Sequence, residues 1–241
     1  MSDRTLREKE YFDRMVLEHG AHWWGNSTEA GQKRQDLRAE MAVRSAGIDK
    51  GKYVLEVGCA SGDFTRRFRG LNVRIVAVDI SPQLIQLAHA RYASPTVRFQ
   101  VADVEKLDFA DETFDAIIGN AILHHLSLGI VLPEFRRVLK PGGRIFFAEP
   151  NMANPQVWLG CHIRAIGNWM QLSEDETAFY RWELEKVLTR NSFKNVKVHP
   201  FDFLHPGIPA LFIGLAVKLG WLLERTLIRE IAGSLAVSAE K

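Results

Sequence analysis

A short apolar run that ends in small residues is the feature of this chain that most constrains its fold. The run 54–57 (Val-Leu-Glu-Val) is followed at once by the small residues 58–62 (Gly-Cys-Ala-Ser-Gly), and Phe64 then begins a helical pattern. Aliphatic residues followed directly by glycine predict a buried strand that ends in a tight loop. A strand, a small-residue loop and a helix in that order form the mouth of a nucleotide pocket in a doubly wound sheet. The steric needs of a strand end explain the loop equally well when it is taken alone.

A second predicted strand supports the pocket hypothesis. Residues 73–78 are mainly aliphatic and end at Asp79, twenty-one positions after Gly58. A carboxylate at about that distance, roughly 20 residues past the loop, can accept hydrogen bonds from two ribose hydroxyls. Ser81 and Pro82 already provide the N-cap and the first residue of the next helix. We therefore expect Asp79 to have no structural role of its own.

Strands and helices alternate along the chain with short loops between them. Strands are predicted at 53–58, 73–79, 97–102, 114–119, 144–149, 195–201 and 234–239. Helices are predicted at 3–19, about 30–46, 62–69, 82–93, about 129–139 and 155–171. Ser173 with Glu176 forms a capping-box pattern, which predicts a further helix from there to about Thr189. Crossovers of this kind must be right-handed and covered by helices, so the pattern predicts a parallel sheet.

Four segments resemble the class I S-adenosylmethionine-dependent methyltransferases: 54–62, 76–85, 101–109 with 114–126, and 139–151 (Leu-Lys-Pro-Gly-Gly at its start). The resemblance implies an α/β fold with a doubly wound, seven-stranded, mainly parallel sheet of the Rossmann-like methyltransferase type. It also implies N-terminal helices and a helical insertion between the last two strands. We expect residues 1–50 to form a helical cap and 51–241 the methyltransferase domain, with 151–190 and 204–232 as helical insertions on the acceptor side.

The resemblance further implies S-adenosyl-L-methionine as the cofactor and S-adenosyl-L-homocysteine as its product. The motif positions that it assigns to the cofactor are Glu56, Gly58, Cys59, Ala60, Gly62, Asp79, Ile80, Asp103, Val104 and Asn120. In this assignment Asp79 binds the ribose, Ile80 packs on the adenine and Asp103 binds the adenine amino group. Ala60 stands where the family has a glycine, and we expect it to fit only if its φ is negative.

Residues outside the motifs offer further candidates for the site. Arg34 and Arg38 stand four apart on a predicted helix, and Arg34 could supply the cation for the methionine carboxylate. A solvated helix face explains either arginine as well. Trp23 and Trp24 could close over the ligands as a lid, and ordinary packing is the alternative.

His124 and His125 follow the fourth predicted strand, at the edge where ligands bind in such sheets. An oxygen or nitrogen acceptor must lose a proton, and histidine is the natural base near neutral pH. His125 and His124 are therefore our candidate catalytic residues, and their presence favours O-methylation over N- or C-methylation. The family also has this His-His-Leu pattern where no base role is implied. No carboxylate accompanies the two histidines in sequence, so we expect no metal site.

The segment 206–224 is apolar nearly all round a predicted helix. A helix of this kind is buried in a core, forms the wall of an apolar acceptor pocket, or lies against lipid. It is too short to span a bilayer, which needs about 20 apolar residues. All three interpretations stay open.

Composition limits the classes of partner. The formal net charge is +2, with both signs interspersed, so we expect no nucleic-acid partner. Two cysteines and a charged N-terminus without an apolar stretch indicate a cytoplasmic protein, with membrane association as an option.

We expect methyl transfer to a small, apolar acceptor. The alternatives are a cofactor-binding protein that does not methylate, such as a cyclase, or a peripheral-membrane methyltransferase acting on a lipid, quinone or lipid-linked sugar. The oligomeric state stays open.

Overall fold

A computed structural model describes residues 7, 9–11, 13–15, 27–173 and 176–241, and the strands within them form one seven-stranded sheet. The strands are β1 (Tyr53–Val57), β2 (Arg74–Asp79), β3 (Val97–Val101), β4 (Phe114–Asn120), β5 (Leu139–Pro150), β6 (Lys194–Phe201) and β7 (Ser234–Glu240). Their order is β3-β2-β1-β4-β5-β7-β6, and β7 is antiparallel to both of its neighbours. The other pairs are parallel. The predicted doubly wound, mainly parallel α/β fold is confirmed.

Helices cover both faces of this sheet. They are α1 (Glu29–Ala46), α2 (Pro82–Tyr92), α3 (Leu128–Val138), α4 (Pro155–His162), α5 (Arg164–Trp169), α6 (Arg181–Arg190) and α7 (Ile213–Leu223). Short 3-10 turns lie at Thr65–Phe68, Leu123–His125, Ala210–Phe212 and Leu227–Ile231. Successive residues of β1 alternate between two buried clusters, with Val54 in one and Leu55 in the other. Burial on both faces explains why the strands read as continuous aliphatic runs.

Three predicted helices differ from the structure. The helix expected at 62–69 is reduced to the 3-10 turn Thr65–Phe68, and the helix expected at 155–171 is broken into α4 and α5. The helix predicted from Ser173 is absent at 176–180, where Glu176 contacts His124; α6 begins instead after Tyr180, whose backbone N–H donates to Glu183 Oε2 at 3.4 Å. Most of the helix predicted at 3–19, together with Trp23 and Trp24, lies outside the described residues.

The direction of β7 brings two long connections to one edge of the sheet. Because β7 is antiparallel to β5 and β6, the chain leaves β5 and β6 at the same edge as it leaves β1 to β4. Residues 151–173, 176–180 and 202–233 therefore lie at this carboxyl edge, where ligands bind in open α/β sheets.

The apolar helix of the second connection is not a core helix. Within α7, which is described throughout, Gly220 alone is buried. Most of the large apolar side chains of this segment are exposed. Across the part of the chain that the structure describes, no helix is both long and apolar enough to cross a bilayer.

Candidate functional site

The loop after β1 has left-handed backbone at three positions. Gly58 and Gly62 have φ of 67° and 81°, and Ala60 has φ of 45°. The expectation of a negative φ at Ala60 is therefore wrong. The backbone N–H of Ala60 donates a hydrogen bond of 2.9 Å to Asp79 Oδ2, and this bond holds the residue in a conformation that alanine rarely adopts.

Asp79, the last residue of β2, connects two loops. Its Oδ2 accepts the bond from Ala60, and its Oδ1 accepts from the backbone N–H of Ser81 at 2.9 Å. The expectation that Asp79 has no structural role is therefore wrong. Burial raises the pKa of this carboxyl, and the backbone donors oppose that rise. Each carboxylate oxygen keeps a further lone pair, so Asp79 can still accept hydrogen bonds from a ligand's hydroxyls.

Glu56 lies buried beneath the same loop. Its Oε2 has no hydrogen-bond partner among the described residues. Burial raises the pKa of Glu56 to about 8, and the nearby Asp79 adds to the rise. A buried acid with an orphaned oxygen is a natural place for the positive group of a ligand, which would restore its charged form.

The next strand end brings Asp103 and Val104 to the same edge. Val101 of β3 is paired with Asp79, so the loop that follows begins beside that carboxylate. Asp103 Oδ1 accepts the backbone N–H of Glu105 at 2.9 Å, which fixes a tight turn, and Val104 is buried. Ile80 is half-buried. The thiol of Cys59 is buried and its pKa is raised, so it is an unreactive packing group here.

The arginines of α1 are paired within the protein. Arg34 Nη2 and Arg38 Nη2 lie 2.8 Å and 3.1 Å from Asp202 Oδ2. Arg38 Nη1 also donates to Asn120 Oδ1 at 2.8 Å. The two arginines thus share one carboxylate, that of Asp202, which sequence reasoning missed, and the group keeps one net positive charge for a ligand carboxylate. The one signal for Asp202 was an acid directly after β6, at the carboxyl edge.

Two buried glutamates enclose His124. The ring Nδ1 lies 2.7 Å from Glu149 Oε2, and Nε2 lies 3.2 Å from Glu176 Oε1. Burial opposes the charge on this ring, but the hydrogen bonds to Glu149 and Glu176 outweigh it and raise the pKa of His124 to about 9. The imidazole is therefore protonated at neutral pH and donates from both nitrogens. This arrangement contradicts a base role for His124.

His125 packs against its neighbour, with 3.9 Å between the two ring centroids. Ligand atoms of His124, His125 and Glu176 lie within 4.8 Å of one another, a spacing that could hold a metal ion. No carboxylate accompanies the histidines in sequence, but the fold brings Glu149 and Glu176 to them from distant segments. Both nitrogens of His124 are nevertheless engaged by these carboxylates, so the ring has no nitrogen free to bind a metal ion in this arrangement.

A cavity of about 180 Å³ opens beside these carboxylates. Its apolar wall is formed by Ala121, Ala148, Val157, Cys161, Met170 and Leu172. Its polar lining includes Arg34, Arg38, Glu149, Glu176, Thr177 and Ser234. Of the described residues that line it, none is a histidine, so the preference for O-methylation loses the observation that motivated it.

Two residues of the N-terminal segment, Tyr11 and Asp13, make hydrogen bonds to different parts of the carboxyl edge. Ser81 Oγ donates to the carboxylate of Asp13 at 2.5 Å, and Tyr11 Oη donates to the carbonyl of Gln171 at 2.6 Å. The segment thus joins the end of β2 to the connection that walls the cavity.

The strand order and the loops at the carboxyl edge define a Rossmann-like fold of the methyltransferase type. Residues 55–147 match the family model described as a methyltransferase domain. Over this segment the chain is similar to the class I S-adenosylmethionine-dependent methyltransferases.

Individual relatives agree with this assignment. The malonyl-[acyl-carrier protein] O-methyltransferase of Yersinia pestis is 30% identical over 154 residues, covering 61% of this chain and 57% of the relative. The 2-phytyl-1,4-naphtoquinone methyltransferase of Nostoc punctiforme is 30% identical over 151 residues, covering 56% of this chain and 66% of the relative. The chain thus spans less than two thirds of the length of these relatives. The structure of the [4+2]-cyclase SpnF superposes with a TM-score of 0.67 at 20% identity, covering 100% of this chain and 96% of that one, and shows that the fold is shared.

Proposed function

We propose that this chain transfers a methyl group from S-adenosylmethionine to a small, apolar acceptor held in the cavity at the carboxyl edge. The observation that carries the proposal is the shared edge: Asp79 and the loop 58–62 lie at the same end of the sheet as the cavity walled by 151–172. When bound, S-adenosylmethionine supplies a methyl group that its sulfonium has already made electrophilic. The chain therefore needs to bind, orient and shield, and needs no strong activating group.

The residues at this edge fit that cofactor. Asp79 retains lone pairs for two ribose hydroxyls, and Asp103 lies at the neighbouring strand end for the adenine. Glu56, with its orphaned Oε2, would accept the ammonium group of the methionine end, directly or through water. Gly58, Cys59, Ala60 and Gly62 would line the cofactor with backbone. Arg34 remains a candidate for the carboxylate, because it lines the cavity and shares Asp202 with a second arginine.

The connections 151–190 and 204–232 would supply the acceptor side, and residues 1–50 the cap. The cavity wall is formed mainly by aliphatic and sulfur-containing side chains, which suits an apolar body. Glu149 and Glu176 provide acceptors for a single polar group of the substrate. The naphthoquinone named for the Nostoc relative supports an apolar acceptor, while the malonyl-carrier named for the Yersinia relative is a different class.

Two alternatives to this function can be distinguished by experiment. The first is a protein that binds the cofactor without transferring its methyl group, and a fold shared with a [4+2]-cyclase is compatible with it. A lipid, quinone or lipid-linked sugar as acceptor is a narrower form of the same proposal, and the exposure of α7 favours it.

Calorimetry and turnover together test the proposal. S-adenosylhomocysteine should bind the wild-type chain, and Asp79→Ala should weaken binding at least about tenfold, or roughly 1.4 kcal/mol. Asp49→Ala, an exposed aspartate at the opposite edge of the sheet, is the matched control and should leave binding unchanged. Equal binding by both variants would refute the ribose assignment. Cofactor binding without release of labelled methyl product across apolar phenols, quinones and prenyl compounds would favour the non-methylating alternative.

A further inference from the structure

The helix α7 and the turn before it expose an unusual amount of apolar surface. Leu211 is 86% exposed, Leu215 is 57% exposed and Trp221 is 54% exposed. Phe212, Leu215, Leu219 and Leu222 recur at helical spacing, so they share one face of the segment, and that face points away from the protein. Isolated exposed leucines need no explanation, but a contiguous group of this size marks an interaction surface.

The helices that wall the cavity continue this surface. Trp169 is 81% exposed and Trp158 is 43% exposed, on the outer sides of α5 and α4. The start of α4 contacts the second connection directly, since Asn154 Nδ2 donates to the carbonyl of Ile231 at 2.7 Å. Gln156 Nε2 also lies 3.3 Å from His205 Nε2. The two exposed groups therefore belong to one side of the carboxyl edge, which we call the outer apolar surface.

In the segments 151–173 and 203–223, which the structure describes throughout, every Lys, Arg, Asp or Glu is a basic residue. Neither segment contains an aspartate or glutamate, whereas Arg164, Lys218 and Arg225 are exposed. Glu224, which follows α7, is turned inward and accepts the backbone N–H of Asp202 at 3.0 Å. The guanidinium of Arg225 lies 3.3 Å from the ring centre of Trp221. Lys218 lies on the same helix face as Leu215 and Leu222, and its long side chain can carry the ammonium to the headgroups. Apolar side chains with tryptophan and basic residues among them match the headgroup zone of an anionic bilayer.

We infer that the outer apolar surface docks this chain onto an anionic lipid bilayer, with α7 lying in the interface. The benefit that docking gives the enzyme rests on the proposed function. Helix α4 presents Val157 and Cys161 to the cavity and Trp158 to the outside. A docked chain would thus place one helix between the lipid and the cavity, so that an apolar acceptor dissolved in the membrane reaches the cavity at that side. The one-sided charge favours lipid over a second copy of the chain, because two basic surfaces would repel each other.

Vesicle flotation tests the inference. The full chain should float with vesicles of equal parts phosphatidylglycerol and phosphatidylcholine, and much less with pure phosphatidylcholine or at high salt. Leu219→Asp should reduce vesicle binding at least about tenfold, because it places a charge at the centre of the buried face. Ile130→Asp is the matched control: both side chains are 50% exposed, and Ile130 lies on α3 outside the outer apolar surface.

The outcomes separate this inference from the proposed function. Leu219→Asp should bind S-adenosylhomocysteine with unchanged affinity, so a loss of vesicle binding concerns the surface alone. Equal vesicle binding by Leu219→Asp and the wild type would overturn the inference, as would equal binding to pure phosphatidylcholine. A wild-type chain that stays in the buffer and forms a dimer that Leu219→Asp dissociates would assign the surface to a second copy instead.

Discussion

His124 Nδ1 lies 2.7 Å from Glu149 Oε2, and both side chains are buried. The other oxygen of Glu149 accepts the backbone N–H groups of Ile122 and Leu123 at 3.0 Å and 2.9 Å. One carboxylate at the end of β5 therefore fixes both the turn after β4 and the histidine within it.

Glu149→Gln should destabilise the chain by about 3 kcal/mol, since it keeps the shape but leaves a buried imidazolium short of one counter-charge. Urea unfolding followed by circular dichroism measures the change. Glu40→Gln, on the exposed face of α1, should change stability by less than about 0.5 kcal/mol. Similar values for the two variants would argue against a charged His124.

The pairing of His124 with Glu149 also predicts that the stability of the chain depends on pH. The pKa of His124 is raised from the ordinary 6.5 to about 9, so the folded form holds a proton that the unfolded chain has released. This stabilisation is complete below pH 6.5 and is lost as the pH rises through about 9. The destabilisation caused by His124→Asn should therefore be larger at pH 6.5 than above pH 9, by an amount on the order of 2–3 kcal/mol. A constant difference between variant and wild type across this range would contradict the prediction.

The buried carboxyl of Glu56 should lower the stability of the ligand-free chain and strengthen ligand binding. Its pKa is raised from 4.5 to about 8, so stability is lost as the pH rises between these values. Without ligand, Glu56→Gln should stabilise the chain at about pH 8 by an amount on the order of 2–4 kcal/mol, and much less at about pH 5. The same variant should bind S-adenosylhomocysteine more weakly. Thermal unfolding at the two pH values and calorimetry provide the measurements, and a stabilised variant with intact binding would remove Glu56 from the site.

Ala60→Gly should stabilise the chain by about 1 kcal/mol, because Ala60 has φ of 45° and glycine adopts this conformation without a clash. Ala90→Gly, at an exposed position of α2, should have the opposite sign with a similar magnitude. Chemical denaturation of the two variants gives the comparison. Loss of stability in Ala60→Gly would mean that the bond to Asp79 does not strain the loop.

Asp202 is expected to be the key residue of the arginine network. Burial disfavours its charge, but Arg34 and Arg38 outweigh this and lower its pKa. Its φ is 78°, a conformation that asparagine also tolerates, so Asp202→Asn removes the charge with little effect on the backbone. We expect a loss of about 3 kcal/mol at neutral pH, which shrinks as acid protonates the wild-type carboxyl. Asp49→Asn, exposed and unpaired with these arginines, serves as the reference.

Local patterns predicted the sheet because each strand carries its own signal. The aliphatic run ending at Val57 and the one ending at Asp79 needed no knowledge of their neighbours, and both lie where the pattern placed them. The partners of His124 and Arg34 could not be found in this way. Glu176 and Asp202 are distant in sequence and meet those side chains only through tertiary packing, which no spacing rule contains.

Two further differences between the sequence predictions and the structure also have physical causes. The φ of Ala60 is set by a bond to a residue nineteen positions away, so the residue type alone could not predict it. The apolar pattern of α7 is the same whether its surroundings are protein or lipid, so only its exposure in the fold distinguishes these cases.

The reversed direction of β7 places both late connections at the carboxyl edge, so cofactor binding and acceptor binding are assigned to different parts of the sequence. Everything assigned to the cofactor falls between residues 56 and 120, apart from Arg34, while both connections at the acceptor side come after residue 150. Because these later segments attach at strand ends, their length and composition can diverge without rebuilding β1 to β4, provided that Asp202 and Glu176 keep their partners in the earlier half. A chimaera that keeps the first 150 residues and carries the later connections of a relative should therefore keep its cofactor affinity and change its choice of acceptor.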